Sequence, residues 1–323
     1  MKFINGDVQW GIVGCGDVCE VKSGPAFSKV DRSKLVAVMR RDEAKARDFA
    51  MRHGVSKYYS DAQTLIDDPE VNAIYIATPP AQHEAYAIDA MKAGKPVYIE
   101  KPVSLDASSC QRLIDASVKY QVPVSVAHYR RGLLLFKKVK SILAEGTIGP
   151  IRLILIHTLQ NKKNADVWRV DPTLSGGGHF HDLSPHQLDL MYWFFGKPKS
   201  VKGFSLNQSG AYQAPDLTTV DVEFEDSAFL RGTWSFNVHD SAEADTCEII
   251  GESGMLKFSF FKGTLLELRT PKGTHLLEFA NPVNIQHPMI NSVVKYFRGT
   301  GENPCSLEDA LVTMKMIDST VGK

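Results

Sequence analysis

The chain has 323 residues, 43% of them hydrophobic, with 37 Lys+Arg against 37 Asp+Glu. That length suits two domains with apolar side chains enough for two cores, which excludes a disordered chain, and a formal net charge of zero offers no basic field for a phosphate backbone, so no nucleic acid partner is expected. Residues 1–10 carry no apolar signal stretch, Arg40-Arg41 lie too deep for a twin-arginine signal, and no segment reaches the roughly 18 uninterrupted apolar residues of a membrane span. The five cysteines, Cys15, Cys19, Cys110, Cys247 and Cys305, are scattered, without a Cys-x-x-Cys pair for zinc. A cytoplasmic protein with reduced thiols and no membrane contact is expected.

In chain order, short apolar runs at Val8–Val13, Lys34–Met39, Ala73–Ala77, Val97–Ile99 and Val122–Ala127 read as strands. Helical stretches lie between them, among them Glu43–His53, closed by Gly54, and Gln82–Ala93, closed by Gly94. Strand-helix-strand repetition predicts an α/β fold with a doubly wound parallel sheet. After Gly149-Pro150 the pattern changes to longer runs at Ile151–Thr158, Val201–Leu206, Thr218–Phe224, Ala228–Phe236, Thr246–Ile250, Met255–Phe260 and Leu265–Arg269. Turn signals at Glu225-Asp226, Glu252-Ser253-Gly254 and Pro271-Lys272-Gly273 predict antiparallel hairpins. Helices are expected at Ser184–Phe195, Pro288–Phe297 and Leu307–Val321. The expected division is a dinucleotide-binding domain over 1–125 and an α+β domain over 126–323, with the last helices packing back on the first domain.

The first chemical motif, Gly14-Cys15-Gly16-Asp17-Val18-Cys19, directly follows the first strand. Glycines there let the backbone turn tightly and approach a pyrophosphate. Cys19 stands where a third Gly or Ala is usual, and Gly24-Pro25 predicts a short or late helix. At the tip of the second strand the sequence has Arg40-Arg41 in place of the acidic residue that reads a ribose hydroxyl. Guanidinium groups match a 2′-phosphate, so NADP(H) is the favoured cofactor, with NAD(H) the second choice. Asp42 follows as a helix cap.

Thr78-Pro79-Pro80 with His83, then Glu100-Lys101-Pro102, and later Gly176-Gly177-Gly178 with Asp182, His186 and Asp189 resemble the glucose-fructose oxidoreductase, inositol dehydrogenase and MocA family over nearly the whole chain. The resemblance implies a Rossmann domain followed by a domain with a large open, mostly antiparallel sheet, and oxidation or reduction of sugars and related polyols. It places Thr78, Pro79, Pro80, His83, Glu100 and Lys101 beside the cofactor and makes Lys101, Asp182 and His186 the catalytic set.

Residue chemistry agrees with that set. Lys101 follows a strand of the parallel sheet, at the edge where ligands of such sheets bind, and an ammonium there can stabilise a developing alkoxide. Asp182 and His186 are four apart, so a helix that already includes Asp182 puts both on one face, with Pro185 in its first turn. An imidazole, with an unperturbed pKa of about 6.5, suits proton exchange near neutrality. Tyr129, with Arg130 and Arg131, and Trp168-Arg169, in an irregular stretch, are candidate substrate contacts. His179, His181, Asp182 and His186 could bind a divalent metal, but Lys101 already supplies the electrophilic role, so no metal is expected. The substrate expected is carbohydrate-like, and surplus apolar residues in the later strands predict a homodimer or homotetramer through the C-terminal sheet. The alternatives are a non-catalytic dinucleotide sensor and a same-fold enzyme for a diol or tetrapyrrole.

Overall fold

The computed structural model describes residues 1–162 and 167–322, in two compact units. The first joins Met1–Gly132 to Pro282–Leu311; the second joins Leu133–Asn281 to the chain from Val312 onward.

In the first unit, β1 (Val8–Val13), α1 (Asp17–Val21), α2 (Gly24–Phe27), β2 (Ser33–Met39), α3 (Glu43–His53), β3 (Lys57–Tyr59), α4 (Ala62–Asp67), β4 (Ala73–Ile76), α5 (His83–Lys92), β5 (Val97–Ile99), α6 (Ala107–Tyr120) and β6 (Val124–Val126) follow one another. The strands form one parallel sheet in the order β3-β2-β1-β4-β5-β6, the doubly wound dinucleotide-binding arrangement. β4, β5 and β6 are buried along their whole length, as a sheet covered on both faces requires. Aspartates start three of the helices: Asp42, Asp61 and Asp106 accept from the backbone N–H of Lys45, Thr64 and Ser109. Asp42 is thus the cap that its place in the sequence suggests. Inside, Trp10, Phe27, Tyr75 and Tyr98 form a continuous ring cluster with centroid separations of 4.7, 5.0 and 5.3 Å along the series.

The second unit contains α7 (Leu134–Ala144), β7 (Ile151–Leu159), the single turns α8 (Val167–Val170) and α9 (Pro172–Ser175), α10 (His179–Phe195), and β8 (Pro198–Leu206), β9 (Leu217–Phe224), β10 (Phe229–Ser235), β11 (Ala244–Gly251), β12 (Met255–Phe258), β13 (Leu265–Thr270) and β14 (Gly273–Glu278). Of the closing helices, α11 (His287–Phe297) belongs to the first unit and α12 (Leu307–Val321) starts there. The eight strands lie in the order β14-β13-β12-β11-β7-β10-β9-β8. The expected hairpins are antiparallel, but β10 runs parallel to β7, because α10, β8 and β9 intervene and supply the long crossover a parallel pair needs. β14, short and mostly exposed, carries too little apolar patterning to be seen in the sequence.

One face of this sheet is buried. Trp234 donates from Nε1 to Gln187 Oε1 at 2.6 Å, and Gln187 Nε2 donates to Thr158 Oγ1 at 2.6 Å, so the middle of α10 is tied to β10 and β7 by a satisfied buried amide. Phe180 packs edge-on against Trp234 at 5.3 Å. The opposite face carries a cross-strand row of Lys202, Asp221, Arg231, Leu155, Glu248, Lys257 and Glu267. Arg231 grips Asp221 through Nε at 2.8 Å and Nη2 at 2.7 Å, and Lys257 pairs with Glu248 at 2.8 Å. The next row is apolar: Phe229, Leu153, Ile250 and Met255 stand side by side, each half-buried.

Candidate active site

At the turn after β1, Gly14 leaves no room for a side chain. Gly14 has φ +90, and a Cβ there would lie 2.7 Å from Thr78 Cγ2 and 2.9 Å from the Thr78 nitrogen. Its N–H and that of Cys15 bond to the Met39 carbonyl at 2.9 and 3.1 Å, which seats the turn on the end of β2. Gly16 faces open space, with Gly14 O at 4.0 Å the nearest neighbour of an added Cβ. Asp17 and Val18 begin α1, exposed and half-buried respectively.

The helix that follows is short, as Gly24-Pro25 predicted. It breaks after Val21 and resumes as α2, because Gly24 packs against the Cys19 carbonyl with no room for a side chain. Cys19 therefore fills the usual third small position while Gly24 provides the close approach. Burial pushes the Cys15 thiol up to about 11 and the Cys19 thiol higher still, so both stay neutral where a thiolate would repel a phosphate. Glu20 anchors α1 to α3: Arg52 bonds both its oxygens at 2.7 and 2.8 Å and holds its carboxyl down at about 2.

Arg40 and Arg41 stand at the tip of β2 as expected. Arg40 is half-buried, its Nη1 reaching 3.4 Å from the Cys15 carbonyl, and Arg41 is exposed. The rim of the parallel sheet thus presents the Arg40 guanidinium beside the glycine turn, with Arg41 exposed next in the chain.

Past β4, Thr78 faces that turn with its Oγ1 buried and without a hydrogen-bond partner among the described residues. Pro79 leads into a 3-10 turn over Pro80–Gln82, and α5 starts only at His83, one residue later than the expected helix. His83 differs from the expectation that it contacts cofactor. It is fully buried, with Nε2 2.8 Å from the Thr78 carbonyl and Nδ1 3.0 Å from the Pro102 carbonyl; its neutral ring has one N–H, so it donates to one of the two and packs against the other. Burial also holds its imidazole below the ordinary pKa.

Glu100 is likewise turned inward. Its Oε1 accepts from Tyr75 Oη and Gln286 Nε2, each at 2.6 Å, and its Oε2 accepts from the Lys101 N–H at 3.1 Å. Its part is to hold the backbone of the half-buried Lys101, which precedes a cis peptide to Pro102. Tyr129 lies in a 3-10 turn over Tyr129–Gly132, buried, with the Arg130 guanidinium 5.3 Å from its ring centroid.

In the second unit, α10 starts at His179, five residues earlier than expected, because Gly176 and Gly178, at φ +89 and +80, deliver the chain directly into it. Pro185 is therefore inside the helix, not in its first turn. It withholds the N–H that would bond the His181 carbonyl, a local cost carried by the burial of this helix. Asp182 and His186 share one face, as the early start requires. Arg169 Nε lies 3.4 Å from Asp182 Oδ2, and its guanidinium covers the Trp168 ring at 4.4 Å. Trp168 and Arg169 belong to the turn α8 and not to an irregular stretch. His186 is buried, with Phe261 edge-on at 5.8 Å. His179 and His181, two apart, diverge around the helix and cannot both join Asp182 and His186 around one metal.

The sequence reading missed Phe261, Gln286, Tyr212 and Gln160, all on loops or strand ends. Phe261 sits against His186 because the Asp245 carboxylate accepts the backbone N–H groups of Phe260, Phe261 and Lys262 at 3.1, 2.7 and 2.9 Å. Only Asp245, a charge on the same side of its strand as Cys247 and Ile249, could have signalled that loop.

A tight glycine turn after the first strand of a parallel sheet in this order is the arrangement that binds dinucleotides. Residues 8–128 match the family described as "Oxidoreductase family, NAD-binding Rossmann fold", and residues 136–257 match the "GFO/IDH/MocA C-terminal domain". The chain belongs to the Gfo/Idh/MocA oxidoreductases. It is 41% identical to "Oxidoreductase P35" of Formosa agariphila over 98% of both chains. It is also 25% identical to an inositol 2-dehydrogenase of Burkholderia ambifaria, over 77% of this chain and 73% of that one. Its fold matches that of a 3-ketoreductase from Actinomadura kijaniata solved with NADP, at TM-score 0.86 and 18% identity, covering 98% and 97% of the two chains.

The space at Gly14 generates a direct test. Gly14→Ala places a methyl group against Thr78 at an unfavourable φ, so it is expected to lower stability by about 1–3 kcal/mol and to weaken dinucleotide binding. Thermal denaturation and fluorescence titration with NADPH read the two effects; wild-type affinity in the variant would show that the turn does not hold the cofactor.

Proposed function

We propose that this oxidoreductase prefers NADP(H) and interconverts a secondary alcohol and its carbonyl on a sugar-like or polyol substrate. The observation that carries this is the pair Asp182 and His186 on one face of a buried helix, in a chain whose relatives include an inositol dehydrogenase. The residues fit a dinucleotide: Gly14 leaves a cradle that a Cβ would fill, and Thr78 Oγ1 is a buried polar atom without a protein partner among the described residues. The nicotinamide, when bound, takes or gives the hydride. Gly14, Gly16, Asp17 and Val18 bring backbone to the pyrophosphate, Thr78 donates its orphaned hydroxyl, and Pro79 and Pro80 stiffen that rim. His83 and Glu100 position these loops from within.

Lys101 hydrogen-bonds the reacting oxygen and stabilises its developing negative charge, while His186 exchanges the hydroxyl proton. Asp182, with Arg169 on its carboxylate, orients substrate; Trp168 and Tyr129 contribute an apolar wall and a phenol. Lys101→Ala and His186→Ala should each cut turnover by roughly 10²-fold or more while leaving dinucleotide affinity nearly unchanged. Nicotinamide absorbance on a polyol and sugar panel measures the first and titration the second. Near-normal turnover of the histidine variant would remove it from the reaction.

Cofactor choice rests on Arg40 and Arg41, whose guanidinium groups suit a 2′-phosphate and leave no carboxylate for a ribose diol at the strand tip. Alanine at both should weaken NADPH binding by about 1–3 kcal/mol and NADH binding far less. Equal losses, or a wild-type preference for NADH, would overturn the assignment.

The five cysteines are buried thiols, which suits a cytoplasmic protein. The apolar row Phe229, Leu153, Ile250 and Met255, bordered by the ion-paired row, suits self-association of the sheet face into a homodimer or homotetramer. The inward Leu230, Trp234, Leu256 and Phe258 do not contribute, since they serve the core. Leu153→Lys is expected to shift light scattering toward monomer, and a wild-type protein that is monomeric throughout the micromolar range would refute the association.

A further inference from the structure

The segment between β8 and β9 is held in one shape by its own polar groups. Asp216, fully buried, accepts from the N–H groups of Gln208 and Ser209, each at 2.8 Å, and from Asn237 Nδ2 at 3.1 Å. Asn207 accepts from the Gly210 N–H at 3.0 Å and donates to the Tyr212 carbonyl at 2.6 Å. Buried Ala214 packs where a side chain on Gly178 would stand, which docks the segment against the start of α10.

This fixes the Tyr212 ring edge-on to His179, at 5.7 Å and 82°. His179, Asp182 and His186 fall at i, i+3 and i+7, one face of α10. Yet the Tyr212 hydroxyl is buried with no hydrogen-bond partner among the described residues. Burial and the nearby Asp216 charge push its phenol up to about 12, so it remains a proton donor near neutral pH.

A second orphan lies at the same end of the unit. Gln160, just past β7, is more than nine-tenths buried, and its Oε1 also has no hydrogen-bond partner among the described residues. Its N–H bonds the Ser235 carbonyl at 2.8 Å, beside Phe236, whose ring lies 5.1 Å from His179. A buried phenol and a buried amide oxygen, each left unpaired among the described residues, are costly unless a ligand completes them.

We propose that Tyr212 Oη and Gln160 Oε1 form a hydroxyl-binding subsite for the polyol or sugar substrate, away from its reacting carbon. The phenol donates to a substrate hydroxyl oxygen, and the amide oxygen accepts from that hydroxyl or its neighbour. This rests on the reading of α10 as the catalytic helix and adds a determinant of substrate choice: a site built to pair a hydroxyl rejects an analogue that lacks it.

The test is Tyr212→Phe, which keeps the ring on His179, alone and with Gln160→Leu. With NADPH- or NADP-loaded protein, KM for the best substrate among inositol, glycerol and glucose is expected to rise about 5- to 10-fold for the single variant, with kcat within about twofold and cofactor affinity unchanged. The thermal midpoint of Tyr212→Phe should not fall, because the hydroxyl has no bond within the fold to lose. Unchanged KM, or a lowered midpoint accompanying the KM change, overturns the subsite. If the wild type turns over none of the three, the proposed chemistry fails separately, and calorimetry with the same compounds decides the subsite: weaker binding by the variant supports it, whereas equal binding, or none by the wild type, overturns it.

Discussion

A carboxylate buried among aromatic rings must find donors for its oxygens or give up its charge, and Glu100 is that group in the first unit. Its three donors come from separate parts of the chain: the Tyr75 hydroxyl in β4, the Gln286 amide in the segment that returns to this unit before α11, and the backbone N–H of Lys101. Satisfying one carboxylate therefore fixes a central strand, the returning segment and the loop that carries the lysine. His83 sits between the Thr78 and Pro102 carbonyls and ties its helix to one of them through its single N–H. The outward groups at the end of the parallel sheet, Lys101 and Thr78, are set by inward ones that never leave the core.

The second unit solves the same problem with an amide. Gln187 links Trp234 to Thr158, and this fully buried chain fixes the rotation of α10 about its own axis. With the rotation fixed, the face carrying Asp182 and His186 is fixed too. The helix tolerates Pro185 in its interior because the burial of its neighbours outweighs one missing backbone bond. Asp245 and Asp216 play supporting parts by folding the loops that bring Phe261 to His186 and Tyr212 to His179.

Electrostatics around the glycine turn are consistent with an anionic ligand. The two thiols stay neutral, Glu20 is neutralised by Arg52, and the strand tip carries two arginines. A negative group brought to this turn meets the start of α1 and the Arg40 guanidinium, with Asp17 exposed at its rim.

Much of this was legible in the residues. The parallel sheet, the glycine turn, the short first helix and the Asp42 cap follow from local rules: apolar runs, glycine at positive φ and short polar caps. Those rules act within about a dozen residues, and there the sequence alone was sufficient. Tertiary structure decided what depends on distant partners. The parallel pairing of β7 with β10, the inward turn of Glu100, and the surroundings of Tyr212 and Gln160 are each set by residues far along the chain. No local pattern records them, because the free energy of a buried polar group depends on which donor packing brings to it, and that is settled only when the chain has folded.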